Sequence, residues 1–173
     1  ELPAEITGIS VDSRQTKLGH LFAAMPGSNV HGAEFVKYAV RMGAIAILTD
    51  ESGYEIVQSE GGYDLPFLIA DDPRMALSKA AAGWFGWQPE TMVAITGTNG
   101  KTSVANFTRQ IWEELDLAAV NFGTVGVEGA VAAPLSHTTP EPITLHALLA
   151  NLSSQGVTHA QWRHPRMVWS SAV

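Results

Sequence analysis

The stretch VAITGTNGKTSVANF, Val93 to Phe107, restricts the chain more than any other. Met92 to Thr96 has the length and residue types of a buried strand. From Lys101 the pattern turns helical, with apolar Val104, Phe107, Ile111 and Leu115 on one side. Between the two lie Gly97, Thr98, Asn99 and Gly100. Glycines let a strand turn sharply into a helix, bringing backbone N–H groups and a helix start to one point, and both favour an anion. Lys101 can then reach β and γ phosphates, and the hydroxyl of Thr102 can ligate Mg²⁺. Ser103 follows in the same turn. The general phosphate-loop pattern, G-x-x-x-x-G-K-[ST], has glycine where this chain has Ile95, so only its second half is present. The plainer alternative is an ordinary glycine turn.

The flanking sequence supplies a setting for such a loop. Further strands are expected at Ile6–Val11, His20–Met25, Ala44–Thr49, Pro66–Ala70, Ala118–Phe122 and Val157–Ala160. Helices are expected at Ala33–Met42, Pro73–Phe85, Lys101–Leu115 and Ile143–Ser154, the second started by Asp71 or Asp72 ahead of proline. Strand and helix in alternation predict an α/β fold around a largely parallel sheet. A boundary is expected near Trp87–Glu90, where a helical pattern stops, a proline intervenes and a new strand begins. Residues 1–88 then form one small α/β domain, 89–160 open a second, and 161–173 are a tail.

Composition removes several classes of function. A formal net charge of −7 argues against a nucleic-acid surface, which needs clustered Lys and Arg. Backbone N–H groups and one lysine still suffice for a phosphate. The longest apolar runs, such as Ala44–Leu48, are too short to cross a bilayer, so no membrane insertion is expected. No basic, apolar leader opens the chain, and it has no cysteine, which fits a cytoplasmic protein. The six histidines show no metal-ligand spacing.

GTNGKT resembles the phosphate loop of the Mur ligase family, ATP-dependent enzymes that form amide bonds in peptidoglycan precursors. Related ligases, including folylpolyglutamate synthetases, carry close variants. The amino-terminal segment narrows the choice. Asp12-Ser13-Arg14, Gly19-His20-Leu21-Phe22, the loop Gly27 to Gly32, and Gly43-Ala44 resemble the uridine-nucleotide domain of the Mur ligases that add the third residue, or the terminal dipeptide, of the stem peptide. His20 and His31 stand where those proteins usually have aspartate. The resemblance implies a UDP site lined by Val11, Ser13, Ser28, Asn29 and Val30. Read without it, Asp12-Ser13-Arg14 is a capped turn with a surface ion pair. Gly123-Thr124-Val125-Gly126 followed by His137-Thr138-Thr139-Pro140 is similar to the third-residue branch, where the paired threonines meet the sugar-peptide. That branch implies ATP, Mg²⁺, UDP-MurNAc-dipeptide and a diamino acid as ligands, with Lys101 as the catalytic cation.

The resemblance holds through Gly156-Val157-Thr158-His159-Ala160 and stops at QWRHPRMVWSSAV. With suitable synonymous codons, a one-base shift turns this tail into Met-Glu-Ala-Ser-Ser-His-Gly-Leu, the segment expected of the family. The alternative is a divergent terminus with Trp162 and Trp169 buried. The tail's Trp-Arg-His-Pro-Arg shows neither strand nor helix periodicity. The resemblance further implies that the rest of the ATP-binding domain and the amino-acid-binding domain are missing, leaving a fragment inactive alone. Other open readings are the dipeptide-adding ligase, another phosphate-loop ligase, and a nucleotide-binding module without catalysis.

Overall fold

The structure, a computed structural model, describes residues 5–122, 126–134 and 141–163. They fall into two compact units that divide between Trp84 and Phe85.

The first unit contains β1 (Gly8–Ser10), β2 (His20–Ala23), α1 (Val36–Met42), β3 (Ala46–Thr49), α2 (Glu51–Ser59), β4 (Phe67–Ile69) and α3 (Pro73–Phe85). Its four strands lie side by side in chain order, all parallel. Every residue of β3 is buried, as expected of a central parallel strand with both faces covered. Phe22, Val36, Ala39, Ile47 and Val57 form the core. The helix expected from Ala33 begins as a 3₁₀ turn, Gly32–Phe35, and becomes α-helical at Val36. Asp72 is the working cap of α3, its Oδ1 accepting from the Met75 N–H at 2.9 Å.

Helix α2 is an element the sequence reading lacks. Its glycine and serines are weak helix formers. Tertiary contact compensates, because Gly53 and Val57 are buried. Asp50 starts it, accepting from the Gly53 N–H at 2.8 Å and from Ser52 Oγ at 3.0 Å.

The second unit contains β5 (Thr91–Ile95), α4 (Lys101–Glu114), β6 (Ala119–Phe122), β7 (Gly126–Gly129), β8 (Ala133–Pro134), α5 (Pro142–Ser154) and β9 (His159–Arg163). The strand order is β5-β9-β6-β7-β8. β5, β9 and β6 are parallel, but β7 pairs antiparallel with both β6 and β8, so this sheet is mixed where a largely parallel one is expected. Glu141 caps α5, accepting from the Ile143 and Thr144 N–H groups at 2.9 and 2.8 Å.

Two expectations fail here. β5 is not a buried strand: alternate residues, Met92 among them, are exposed. Among the described residues it is paired along one edge only, to β9. The strand expected to end at Ala160 runs on to Arg163, so the tail's first residues, which show no strand periodicity, complete β9 between β5 and β6. Backbone pairing on both edges demands no side-chain periodicity, which is why pattern alone misses it. Gln161 is wholly buried and its Nε2 donates to the Ala105 carbonyl of α4. Trp162 is partly buried and stacks on Phe122, ring centres 5.6 Å apart. Trp169 lies outside the described residues.

No helix among the described residues is long and apolar enough to cross a membrane.

Candidate functional site

Strand β5 ends at Ile95, which is buried, so the position where the general pattern has glycine is occupied by a core side chain. The turn that follows is exposed from Thr96 to Gly100. Gly97 has φ +143° and Gly100 has φ +77°, values that L side chains rarely adopt. A Cβ on Gly100 would meet no heavy atom within 4 Å, so backbone geometry rather than crowding calls for glycine there. Gly100 is also the residue preceding α4 and supplies no side-chain cap. The first N–H groups of the helix therefore have no capping side chain, a ready position for an anion.

Lys101 is half-buried and folds back across this turn. Its Nζ donates to the Gly97 carbonyl and, at 3.3 Å, to the Thr98 carbonyl. Thr102 and Ser103 follow in the exposed first turn of α4. Among the described residues no group of three or more His, Asp or Glu side chains could hold a metal ion. The Thr102 hydroxyl, in the exposed first turn of α4, is an oxygen donor of the kind that suits a magnesium ion accompanying phosphates. Thr138 and Thr139 lie outside the described residues, as do Gly123–Val125 and His137.

A second concavity, about 820 Å³, belongs to the first unit. One wall is the segment after β1, Val11 to Arg14; another carries Phe35, Tyr38, Arg41 and Met42 from the 3₁₀ turn and α1. Asp12 and Arg14 form the capped turn that a plain reading expects. The Arg14 N–H donates to Asp12 Oδ1 at 2.9 Å, and its Nη2 meets Asp12 Oδ2 at 2.7 Å. Hydrogen bonds from the Arg14 side chain, then from its backbone, hold the Asp12 carboxyl below its usual range. A buried bond between Ser10 Oγ and Thr16 Oγ1, 2.9 Å, ties the base of this turn to β1. Val11 and Ser13 line the concavity; Ser28, Asn29 and Val30 are exposed and do not.

His31 caps the 3₁₀ turn that precedes α1. Its Nδ1 accepts from the Ala33 N–H at 3.0 Å, so in the neutral ring Nε2 carries the proton and donates to Asp50 Oδ1 at 3.1 Å. Burial raises the Asp50 carboxyl, but the Gly53 N–H, Ser52 and His31 outweigh it and hold the group below its usual value. The reading from sequence passed over Phe35, Tyr38 and Met42. Their signal was the spacing i, i+3, i+7, an apolar stripe beside the buried one of Val36 and Ala39.

Comparison with known proteins decides the family. The description "Mur ligase family, catalytic domain" matches residues 5–83, and "Mur ligase middle domain" matches 95–161. The chain belongs to the Mur ligase family. Two curated Mur ligases, from Mesorhizobium japonicum and Brucella melitensis, are each 50% identical to it over 157 residues. Both are named UDP-N-acetylmuramoyl-L-alanyl-D-glutamate--2,6-diaminopimelate ligase. The alignments cover 90% of this chain and 31% of each relative, so the chain spans about a third of their length. A solved structure of a ligase with that name superposes with a TM-score of 0.72 at 23% identity, over 95% of this chain and 34% of that one. The MurF ligase of Thermotoga maritima, solved with ADP, gives 0.55 at 16% identity, over 91% and 32%. These two likenesses concern the fold. The middle-domain match runs from Ile95, at the mouth of the loop, to Gln161 inside β9.

Proposed function

We propose that this chain is the amino-terminal part of a Mur ligase that joins a diamino acid, diaminopimelate, to UDP-MurNAc-L-Ala-D-Glu at the expense of ATP. The observation that carries the proposal is the 50% identity to ligases of that name across 157 residues, beside family matches that take in both the Asp12–Arg14 turn and the phosphate loop. In this reading residues 1–88 hold the UDP-sugar and 89–160 begin the ATP-binding domain.

A carboxylate resists attack by an amine until phosphorylation gives it a leaving group, and ATP supplies that phosphoryl group. The chain's part is to hold and polarise the triphosphate. Gly97, Thr98, Asn99 and Gly100 offer backbone N–H groups around it. The Lys101 amine exchanges the Gly97 and Thr98 carbonyls for phosphate oxygens, so it is already over the loop before nucleotide arrives. Thr102 offers its hydroxyl to Mg²⁺, and Ser103 stands beside it. Val11 and Ser13 meet the uridine end of the other substrate, with Ser28, Asn29 and Val30 in the neighbouring loop. Thr138 and Thr139 are assigned to the sugar-peptide.

The proposal is tested by titrating the 173-residue protein with UDP-MurNAc-dipeptide, UDP-MurNAc-tripeptide and ATP. Preference for the dipeptide is expected, as is a loss of ATP affinity of about ten-fold or more in Lys101→Ala. Preference for the tripeptide would favour the dipeptide-adding branch, and unchanged ATP affinity would remove Lys101 from the site. The chain alone is expected to make no tripeptide product, since it spans about a third of its relatives. Binding of UDP-sugar without ATP hydrolysis is the outcome for a non-catalytic module.

A further inference from the structure

The concavity of the first unit has a charge and a surface that point to one kind of guest. Two of its charges cancel, because Asp12 is held two-pronged by Arg14. Arg41 lines the same space, is exposed, and makes no ion pair among the described residues. The cleft thus carries a net positive charge in a chain whose net charge is −7. Beside Arg41 stands Tyr38, 47% exposed, with the Lys37 amine 5.2 Å from its ring centre. Phe35 adds a second exposed aromatic ring one helical turn earlier. A flat apolar wall next to an unpaired guanidinium suits a guest with a planar ring and a phosphate chain. At about 820 Å³ the space is large enough for a nucleotide.

We propose that α1 supplies part of the nucleotide site: Arg41 binds the diphosphate of the uridine nucleotide, and the rings of Tyr38 and Phe35 carry its base. This rests on the UDP-sugar reading given above and extends it to a helix face to which that reading assigns nothing. Arg41 lines from α1 the same cleft that Val11 and Ser13 line from the segment after β1. Arg41 and Tyr38 project outward while Ala39 and Val36 of the same helix hold the core, so the outer residues are replaceable without emptying the interior.

The test is titration of the 173-residue protein, and of its Arg41→Ala, Arg41→Lys and Tyr38→Ala variants, with UDP and with uridine. Arg41→Ala should weaken UDP about ten-fold and leave uridine within two-fold; Arg41→Lys should recover part of the loss. Tyr38→Ala should weaken both ligands to a similar degree. UDP binding to the parent protein that Arg41→Ala leaves unchanged would overturn the role of α1 while the UDP-sugar reading stands. An equal loss of UDP and uridine in Arg41→Ala would also overturn it, marking a structural effect. Failure of the parent protein to bind UDP at all would overturn both.

Discussion

In the first unit, α1 presses Val36 and Ala39 onto Phe22 and Ile47, and little of that face remains in water. In the second, α4 turns the small Ala105 inward and leaves Val104, Phe107, Ile111 and Leu115 exposed along its length. The strands beneath differ in the same sense: β3 is paired on both edges, whereas β5 is paired on one among the described residues. A βα unit closes its core only when neighbours cover both the strand edge and the helix stripe. An apolar stripe left in water beside a part-exposed strand is the usual beginning of association.

The difference can be broken most directly by paired substitutions. Ile47→Ala, at a wholly buried position, should cost about 2–5 kcal/mol in urea unfolding. Ile111→Ala, at a residue 60% exposed, should change stability by about 0.5 kcal/mol or less. Equal costs would show that α4 is covered in solution.

A smaller effect is expected inside the second unit. Asn121 Oδ1, Gln161 Oε1 and Trp162 Nε1 are buried and have no hydrogen-bond partner among the described residues. Gln161→Met keeps the length of the side chain and removes the orphaned oxygen, at the loss of its bond to the Ala105 carbonyl. A gain of about 1 kcal/mol is expected by thermal or urea unfolding, and a loss would mean the amide is satisfied in solution. The one-base shift considered for the tail, which would make His159–Arg163 read His-Ala-Ala-Met-Glu, has the same sign: alanine and methionine at 161 and 162 carry no polar side-chain atom to leave unpaired. The nucleotide sequence across codons 160–173 tests it.

Acid should affect both units more gently. Burial lowers His20 in β2, with Lys17 adding to it, and burial lowers His146 in α5. A lowered histidine favours the neutral ring in the folded chain. Its contribution is therefore complete above the ordinary value of 6.5 and is lost as pH falls below it. Asp50, also lowered, adds a loss that begins only below its ordinary 3.8. The melting temperature should fall from pH 7 to pH 5; a rise over that range would contradict the burial of both imidazoles.

The loop from Gly97 to Lys101 was legible because its chemistry is local: two glycines, a lysine and a helix start fix one another within a few residues. Helix α3 was legible for the same reason, through Asp72 and Pro73. Helix α2 was not, since its formation depends on burying Gly53 and Val57 against elements distant in sequence. The antiparallel β7 and the extension of β9 depend on partners that no local pattern announces. In the first unit the turn at Asp12–Arg14 could be read as it stands, but the aromatic wall of its cleft could not, because a helix stripe looks alike whether it meets protein or ligand.

The position of β9 has a consequence for synthesis on the ribosome. Strands β1 to β4 meet their neighbours in the order in which they emerge, so the first unit can assemble as translation proceeds. The phosphate-loop strand cannot: Thr91 pairs with His159 and Ile95 with Arg163, and β6 awaits the same partner. Until residues 159–163 leave the exit tunnel, β5 and the glycine turn after it lack the only ladder they have among the described residues, and chaperones would find them open.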